Sequence, residues 1–205
     1  GCKGLTRDIT VYSGLDRVDI ADTVDKARVL EKESVHIAFP FAIPGGQIRY
    51  DVAWGVVRPD RDQLPGGNRN VFSLDGWADV SNDRTGVTIA SLDAPLMEID
   101  AMNAEAWNLD AKRPWLKTVP ASQTIYSYIM NNYWHTNYKA SQEGPTLFRY
   151  SLLPHDAFDS SAAKRFGMER RTPLVPVPAG KDAPVRPLPI DIGGGPVIAT
   201  SVVPA

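Results

Sequence analysis

The segment GQIRYDVAW places the tightest constraint on the fold, because Ile48, Tyr50, Val52 and Trp54 alternate with Gln47, Arg49, Asp51 and Ala53. Successive side chains of a strand point to opposite faces, so a period of two gives one apolar face and one polar face. That pattern suits a half-buried antiparallel strand. VHIAFPF repeats it, with Val35, Ile37, Phe39 and Phe41 on one face and His36, Ala38 and Pro40 on the other. Proline cannot donate to a ladder, so Pro40 marks a strand end or a sheet edge. Ile9 and Val11 alternate with Thr10 and Tyr12, Ser13-Gly14 offers a turn, and Val18 and Ile20 alternate with Asp19 and Ala21, which predicts a hairpin. VFSLDGWADV and GVTIASLD flank the turn formers SNDRTG, and TIYSYIM and LFRYSLL are further strands. Long strands with short polar turns predict an all-β antiparallel sandwich rather than βαβ units.

The sandwich is expected to occupy residues 1–155. Asp156 to Arg171, DAFDSSAAKRFGMERR, reads as one short helix within a connector at 156–172, since Ala, Lys, Arg, Met and Glu favour helix. Beyond Thr172, eight prolines in 33 residues predict an extended tail, 173–205, belonging to the same domain. Its VIATSVV stretch can still pair as a strand. Residues 100–120 read as a long loop, a feature often tied to function.

A net charge of −2 leaves no basic surplus to neutralise phosphates, so nucleic acid is not an expected partner. Nor is a membrane, because no apolar run approaches the roughly 18 residues a spanning helix needs. Cys2 is the single cysteine, which excludes an intrachain disulfide and a thiolate metal cage. GCKGLTRDITVY lacks an initiator methionine and enters a strand pattern at once, which reads as a fragment or processed piece. Compartment and oligomeric state are not assigned by any segment.

His36, His135 and His155 have no zinc-ligand spacing among them. The run from Asp79 resembles the start of a calcium loop but lacks the sixth-position glycine and carries Ala90 where a bidentate glutamate is required, so it reads as a turn. Phosphate-loop and nucleophile-elbow motifs are absent. The densest polar and aromatic segment is NNYWHTNY, with Asn131, Asn132, Tyr133, Trp134, His135, Asn137 and Tyr138. Amides supply directional donors and acceptors for sugar hydroxyls, and flat rings suit the C–H faces of a pyranose. The same residues also fit a strand with one ring in the core and asparagines in turns.

Four segments, KESVHIAFPFAIP, WGVVRPDRDQLPGGNRNVFSLDGWADVSND, GVTIASLDAPLMEI and MNNYWHTNYKASQEGPTLFRYSLLPH, resemble in order the C-terminal β-domain of family 38 glycoside hydrolases, the α-mannosidases. The resemblance implies a galactose-mutarotase-like super-sandwich, which in this chain can be incomplete. Family members hydrolyse α-linked mannose with retention, using an aspartate nucleophile, an acid/base carboxylate and zinc, all in an N-terminal catalytic domain without a counterpart here. It therefore implies a non-catalytic domain with no cofactor of its own. The implied partners are that catalytic domain and an α-mannoside or related carbohydrate. It makes NNYWHTNY the candidate wall of the sugar site, with His135 bonding a sugar hydroxyl or holding Asn131 or Asn137. Two rival readings are a carbohydrate-binding module stacking sugar on Trp77, Trp107 or Trp115, and a mutarotase-like epimerase pairing His135 with Glu143.

Overall fold

The computed structural model describes residues 1–102, 116–132 and 139–173. Among them are eleven strands and one helix. The strands are β1 (Cys2–Val11), β2 (Val18–Lys26), β3 (Ser34–Pro40), β4 (Gln47–Val52), β5 (Gly55–Val57) and β6 (Phe72–Ser73), followed by β7 (Trp77–Ser81), β8 (Gly86–Ser91), β9 (Leu96–Ile99), β10 (Thr124–Asn131) and β11 (Gly144–His155). The helix is α1 (Ser160–Arg171). A seven-stranded sheet has the order β1-β2-β11-β8-β7-β4-β5, and a four-stranded sheet the order β3-β10-β9-β6. The strand pairings are antiparallel, as the alternation predicts.

The core lies between the sheets. From the larger come Ile20, Val24, Tyr50, Ala78, Val80, Ile89, Phe148 and Tyr150, and from the smaller Ile37, Phe39, Met97, Ile99, Ile125 and Met130. These are the apolar positions of each alternating strand, so period-two patterning decides which face meets the other sheet. Pro40 ends β3, an edge strand, where a missing N–H costs no ladder bond.

Two segments depart from the sequence expectations. VFSLDGWADV is not one strand: β6 joins the smaller sheet, and β7, after the turn at Asp75-Gly76, joins the larger one. The alternation through Trp54 also breaks, because β4 ends at Val52 and Trp54 sits at the tip of the β4–β5 hairpin, 92% exposed.

At the far edge of the larger sheet, β1 is exposed on both faces. Its register sets Leu5, Arg7, Ile9 and Val11 opposite Val24, Asp22, Ile20 and Val18. Those residues continue the inner, core-facing row, yet Leu5 is 61%, Ile9 61% and Val11 73% exposed. Arg7 forms a two-pronged bond to the fully buried Asp22, Nε to Oδ1 at 2.7 Å and Nη2 to Oδ2 at 2.8 Å, so the charge in this row is compensated.

Candidate functional site

The polar end of β10 is built by a change of register. Between Tyr128 and Met130 the pairing with β3 shifts by one residue, and the last pair is Asn131 opposite Ser34. Asn132 follows, buried, and its side chain acts as a piece of backbone. Its Oδ1 accepts from Glu33 N at 2.5 Å, its Nδ2 donates to Val29 O at 2.9 Å, and its own N–H reaches Glu33 O at 3.1 Å. The amide thus clasps the 29–33 loop to the strand end. Beside it, Asn131 Oδ1 is buried and has no hydrogen-bond partner among the described residues. A cavity of about 10 Å³ adjoins it, close to the space one water needs. Tyr133, Trp134, His135, Asn137 and Tyr138 lie outside the described residues.

Glu143, the carboxylate paired with His135 in the epimerase reading, is exposed and bonded to Lys139 Nζ at 2.9 Å. The Lys139 bond leads the interactions that pull its carboxyl down to about 2. So low a value makes a weak general base at neutral pH.

The described histidine–carboxylate contacts lie elsewhere. His36 on β3 and Glu98 on β9 flank β10, with Nε2 and Oε2 2.6 Å apart and both side chains almost wholly buried. His36 stacks on Tyr128 with ring centroids 4.5 Å apart and meets Tyr126 edge-on at 6.3 Å. Without solvent access the pair ties three strands together and offers no cleft for a substrate.

The third polar cluster lies on the outer face of the larger sheet, beneath α1. Asp159 caps that helix, its Oδ1 accepting from Ser161 N at 2.8 Å and Ala162 N at 3.2 Å. Ala163, Phe166 and Gly167 are its buried positions. Gly167 permits the close approach: a Cβ there would stand 2.6 Å from Trp77 Cδ1. Trp77 is fully buried, so it cannot be the exposed stacking platform of the module reading, and Trp107 and Trp115 lie outside the described residues.

Carboxylates on this face are satisfied one by one. Asp51 Oδ1 accepts from Gly76 N at 2.8 Å and Trp77 N at 2.9 Å. Burial nevertheless pushes its carboxyl above the usual range, against the pull of those N–H groups and of Lys164. Lys164 Nζ bonds Asp75 Oδ2 at 2.5 Å and lies 3.4 Å from Asp51 Oδ2. Arg170 donates to Ser151 Oγ at 2.9 Å and reaches Asp19 at 3.3 Å. Asp79 is fully buried and accepts from Ser81 Oγ, from Thr88 Oγ1 at 2.9 Å and from His155 Nε2 at 2.7 Å. Arg49 completes the cluster, donating to Ser81 Oγ at 2.9 Å and lying over the Phe158 ring at 4.7 Å. These bonds hold helix to sheet. Among the described residues no group of three His, Cys, Asp or Glu side chains is placed to hold a metal.

Sequence reasoning missed this cluster, although the polar row Gln47, Arg49, Asp51 and the cationic Lys164, Arg170 and Arg171 were its signal.

Two antiparallel sheets with a helix laid across the larger one define a β-sandwich. No protein-family model matches the chain, and no curated protein matches it. Among solved structures it is similar to an α-mannosidase from Enterococcus faecalis, with a TM-score of 0.58 and 16% identity, 82% of this chain aligning with 18% of that one. It is also similar to a glycosyl hydrolase family 38 protein from Enterococcus faecalis, with a TM-score of 0.54 and 15% identity over the same shares. The likeness is one of fold, and the chain spans less than a fifth of the length of those proteins.

Proposed function

We propose that this chain is a non-catalytic β-sandwich domain of an α-mannosidase-like glycoside hydrolase, packing on the catalytic domain of its parent and presenting the 131–138 segment toward sugar. The observation that carries the packing role is the row Leu5, Ile9 and Val11, which lies in register with core residues yet stands exposed on the inner face of β1. Full burial of such side chains is worth roughly 1.5–3 kcal/mol each, so a protein surface laid over the row would bind with a hydrophobic driving force. The fold likeness to a segment of α-mannosidase structures supports a hydrolase as the parent. The clasp made by Asn132 holds the end of β10, and the side chains of residues 133–138 would carry the sugar contact. The zinc and catalytic carboxylates implied by the resemblance belong, on this reading, to the catalytic domain. Purified chain supplied with zinc and an aryl α-mannoside is expected to give no turnover above buffer. Turnover that scales with chain concentration and survives repurification would overturn the proposal.

A further inference from the structure

The outer face of the larger sheet is not fully closed by α1. Where β4 and the β7–β8 turn approach the chain entering the helix, a groove of about 530 Å³ remains. That size falls within the roughly 300–1,000 Å³ typical of small-molecule sites. Gly45, Gln47, Arg49, Asp83, Ala157 and Phe158 are among the residues that line it.

The walls are preorganised. Asn82 Oδ1 accepts from Arg84 N and Thr85 N, both at 2.8 Å, while its Nδ2 donates to Pro44 O at 2.9 Å. The amide therefore locks the β7–β8 turn and ties it to the loop before β4. Arg49 is held in place by Phe158 on its flat face and by Ser81 at one nitrogen. A guanidinium carries five N–H donors. Arg49 lines the groove, and among the described residues its guanidinium makes one hydrogen bond, to Ser81.

Charge selects the ligand class. Asp83, exposed and without a hydrogen bond among the described residues, lines the same groove as Arg49, and Asp79 lies 3.8 Å from the guanidinium. An anion would meet two carboxylates near the one cation. A neutral ligand bearing neighbouring hydroxyls instead finds donors on Arg49, acceptors on Asp83 and both on the Gln47 amide, with apolar surface from Ala157 and the Phe158 edge. We propose that this groove binds one ring of a neutral sugar. The site lies on the sheet opposite to the β10 end and does not depend on the parent-enzyme reading.

Titration of the ¹⁵N-labelled chain with methyl α-mannoside, methyl β-glucoside and, separately, inorganic phosphate tests the inference. Either sugar is expected to shift the amides of Gly45, Asn82, Asp83 and Ala157 along saturable curves in the millimolar range. Asp83→Asn and Gln47→Ala, both at exposed side chains, are each expected to weaken binding about fivefold, the value of one hydrogen bond, with the other amides unmoved. Arg49→Met is expected to abolish it, and the two exposed variants decide the matter if that protein does not fold. No saturable shift at the groove amides with either sugar would overturn the inference. So would phosphate shifting them at lower concentration than sugar, or sugar shifting only the amides around Asn131, Asn132 and Lys139, an outcome that would favour the 131–138 reading alone.

Discussion

Replacing Gly167 by alanine sets helix propensity against packing, and the two effects have opposite signs. In a helix interior Gly→Ala is favourable by about 0.8–1 kcal/mol, since alanine has less backbone freedom to lose. The new Cβ, however, would stand 2.6 Å from Trp77 Cδ1, 3.4 Å from Cγ and 3.5 Å from Cβ. Carbon atoms rest at about 3.5–4.0 Å, so ring or helix must move by roughly 1 Å. Neither has room: Trp77 is fully buried on a strand flanked by β8 and β4, and α1 is anchored through Lys164 and Arg170. Overpacking of this kind costs about 1–3 kcal/mol, and the rigidity of both partners places it in the upper half of that range. The net expectation is a loss of about 1–2 kcal/mol, or about 2–8 °C in Tm at this chain length. Urea denaturation with near-ultraviolet circular dichroism reports both the stability and the tryptophan environment. A second arm isolates the cause: in a Trp77→Leu background Gly167→Ala should become neutral or stabilising by up to about 1 kcal/mol. A Gly167→Ala protein as stable as the parent, with an unchanged near-ultraviolet spectrum, would refute the packing of α1 on β7 and with it the groove wall formed by Ala157 and Phe158.

Asn132→Ala leaves Glu33 N–H and Val29 C=O without their partner, which should cost about 1–3 kcal/mol and strip hydrogen-exchange protection from the Glu33 amide; unchanged protection there would show that the clasp is not formed. Gly86→Ala would drive a methyl into the His155 ring and the Ser81 side chain, so a loss of about 1–3 kcal/mol with a displaced His155 ring resonance is expected, and an unmoved resonance would contradict the contact. Asp93 is held below 3.8, first by its bonds from the Arg149 side chain, so its contribution to stability is complete above that value and is lost as pH falls through its lower folded-state pKa. Arg149→Gln should therefore be less stable at pH 7 yet show a flatter acid limb in urea midpoints, and equal losses at neutral and acid pH would sink the assignment.

Much of the sandwich was legible because one-sided burial writes itself as a period of two. Val35, Ile37 and Phe39 in β3 sit where alternation puts them. The breaks were not legible. Nothing in VFSLDGWADV says that Asp75-Gly76 hands the chain from one sheet to the other, because Asp51 receives the N–H groups of Gly76 and Trp77 from a distant strand. Trp54 continued the alternation in sequence, but β4 ends at Val52 and the hairpin turn that carries Trp54 takes it out of the sheet. The polar row of the larger sheet misled in the other direction. Alternating polar residues normally mean solvent, yet β7 is buried on both faces. Asp79 and Asp51 are affordable there only because His155, Arg49 and Lys164 arrive from elsewhere in the chain. Of the segment NNYWHTNY, the density of hydrogen-bonding groups was legible and their direction was not. Asn132 turns its amide onto backbone, a use that composition cannot distinguish from sugar binding.

The two faces of the larger sheet follow opposite strategies, and the contrast bears on where a partner would dock. The outer face is polar and covered by α1, with Asp19, Asp51 and Asp79 each matched to donors. A second protein surface gains little there, because the pairs are already made and exposed ion pairs contribute only about 0–1 kcal/mol. The inner face is apolar and fully covered near β8 and β7, then bare at β1, where one two-pronged Arg7–Asp22 pair interrupts three exposed aliphatic side chains. Asp22 is already paired, so a partner covering the row need supply only apolar surface and acceptors for the remaining N–H groups of Arg7. Desolvating Leu5, Ile9 and Val11 would then give most of the binding energy, and the edge of β1, unpaired among the described strands, would fix its direction by strand addition. The Arg49 groove lies toward the opposite edge of the same sheet, on β4, so docking through β1 would leave it open, whereas the β10 end adjoins the start of β1, where Gly1 and Asn132 both bond Glu33.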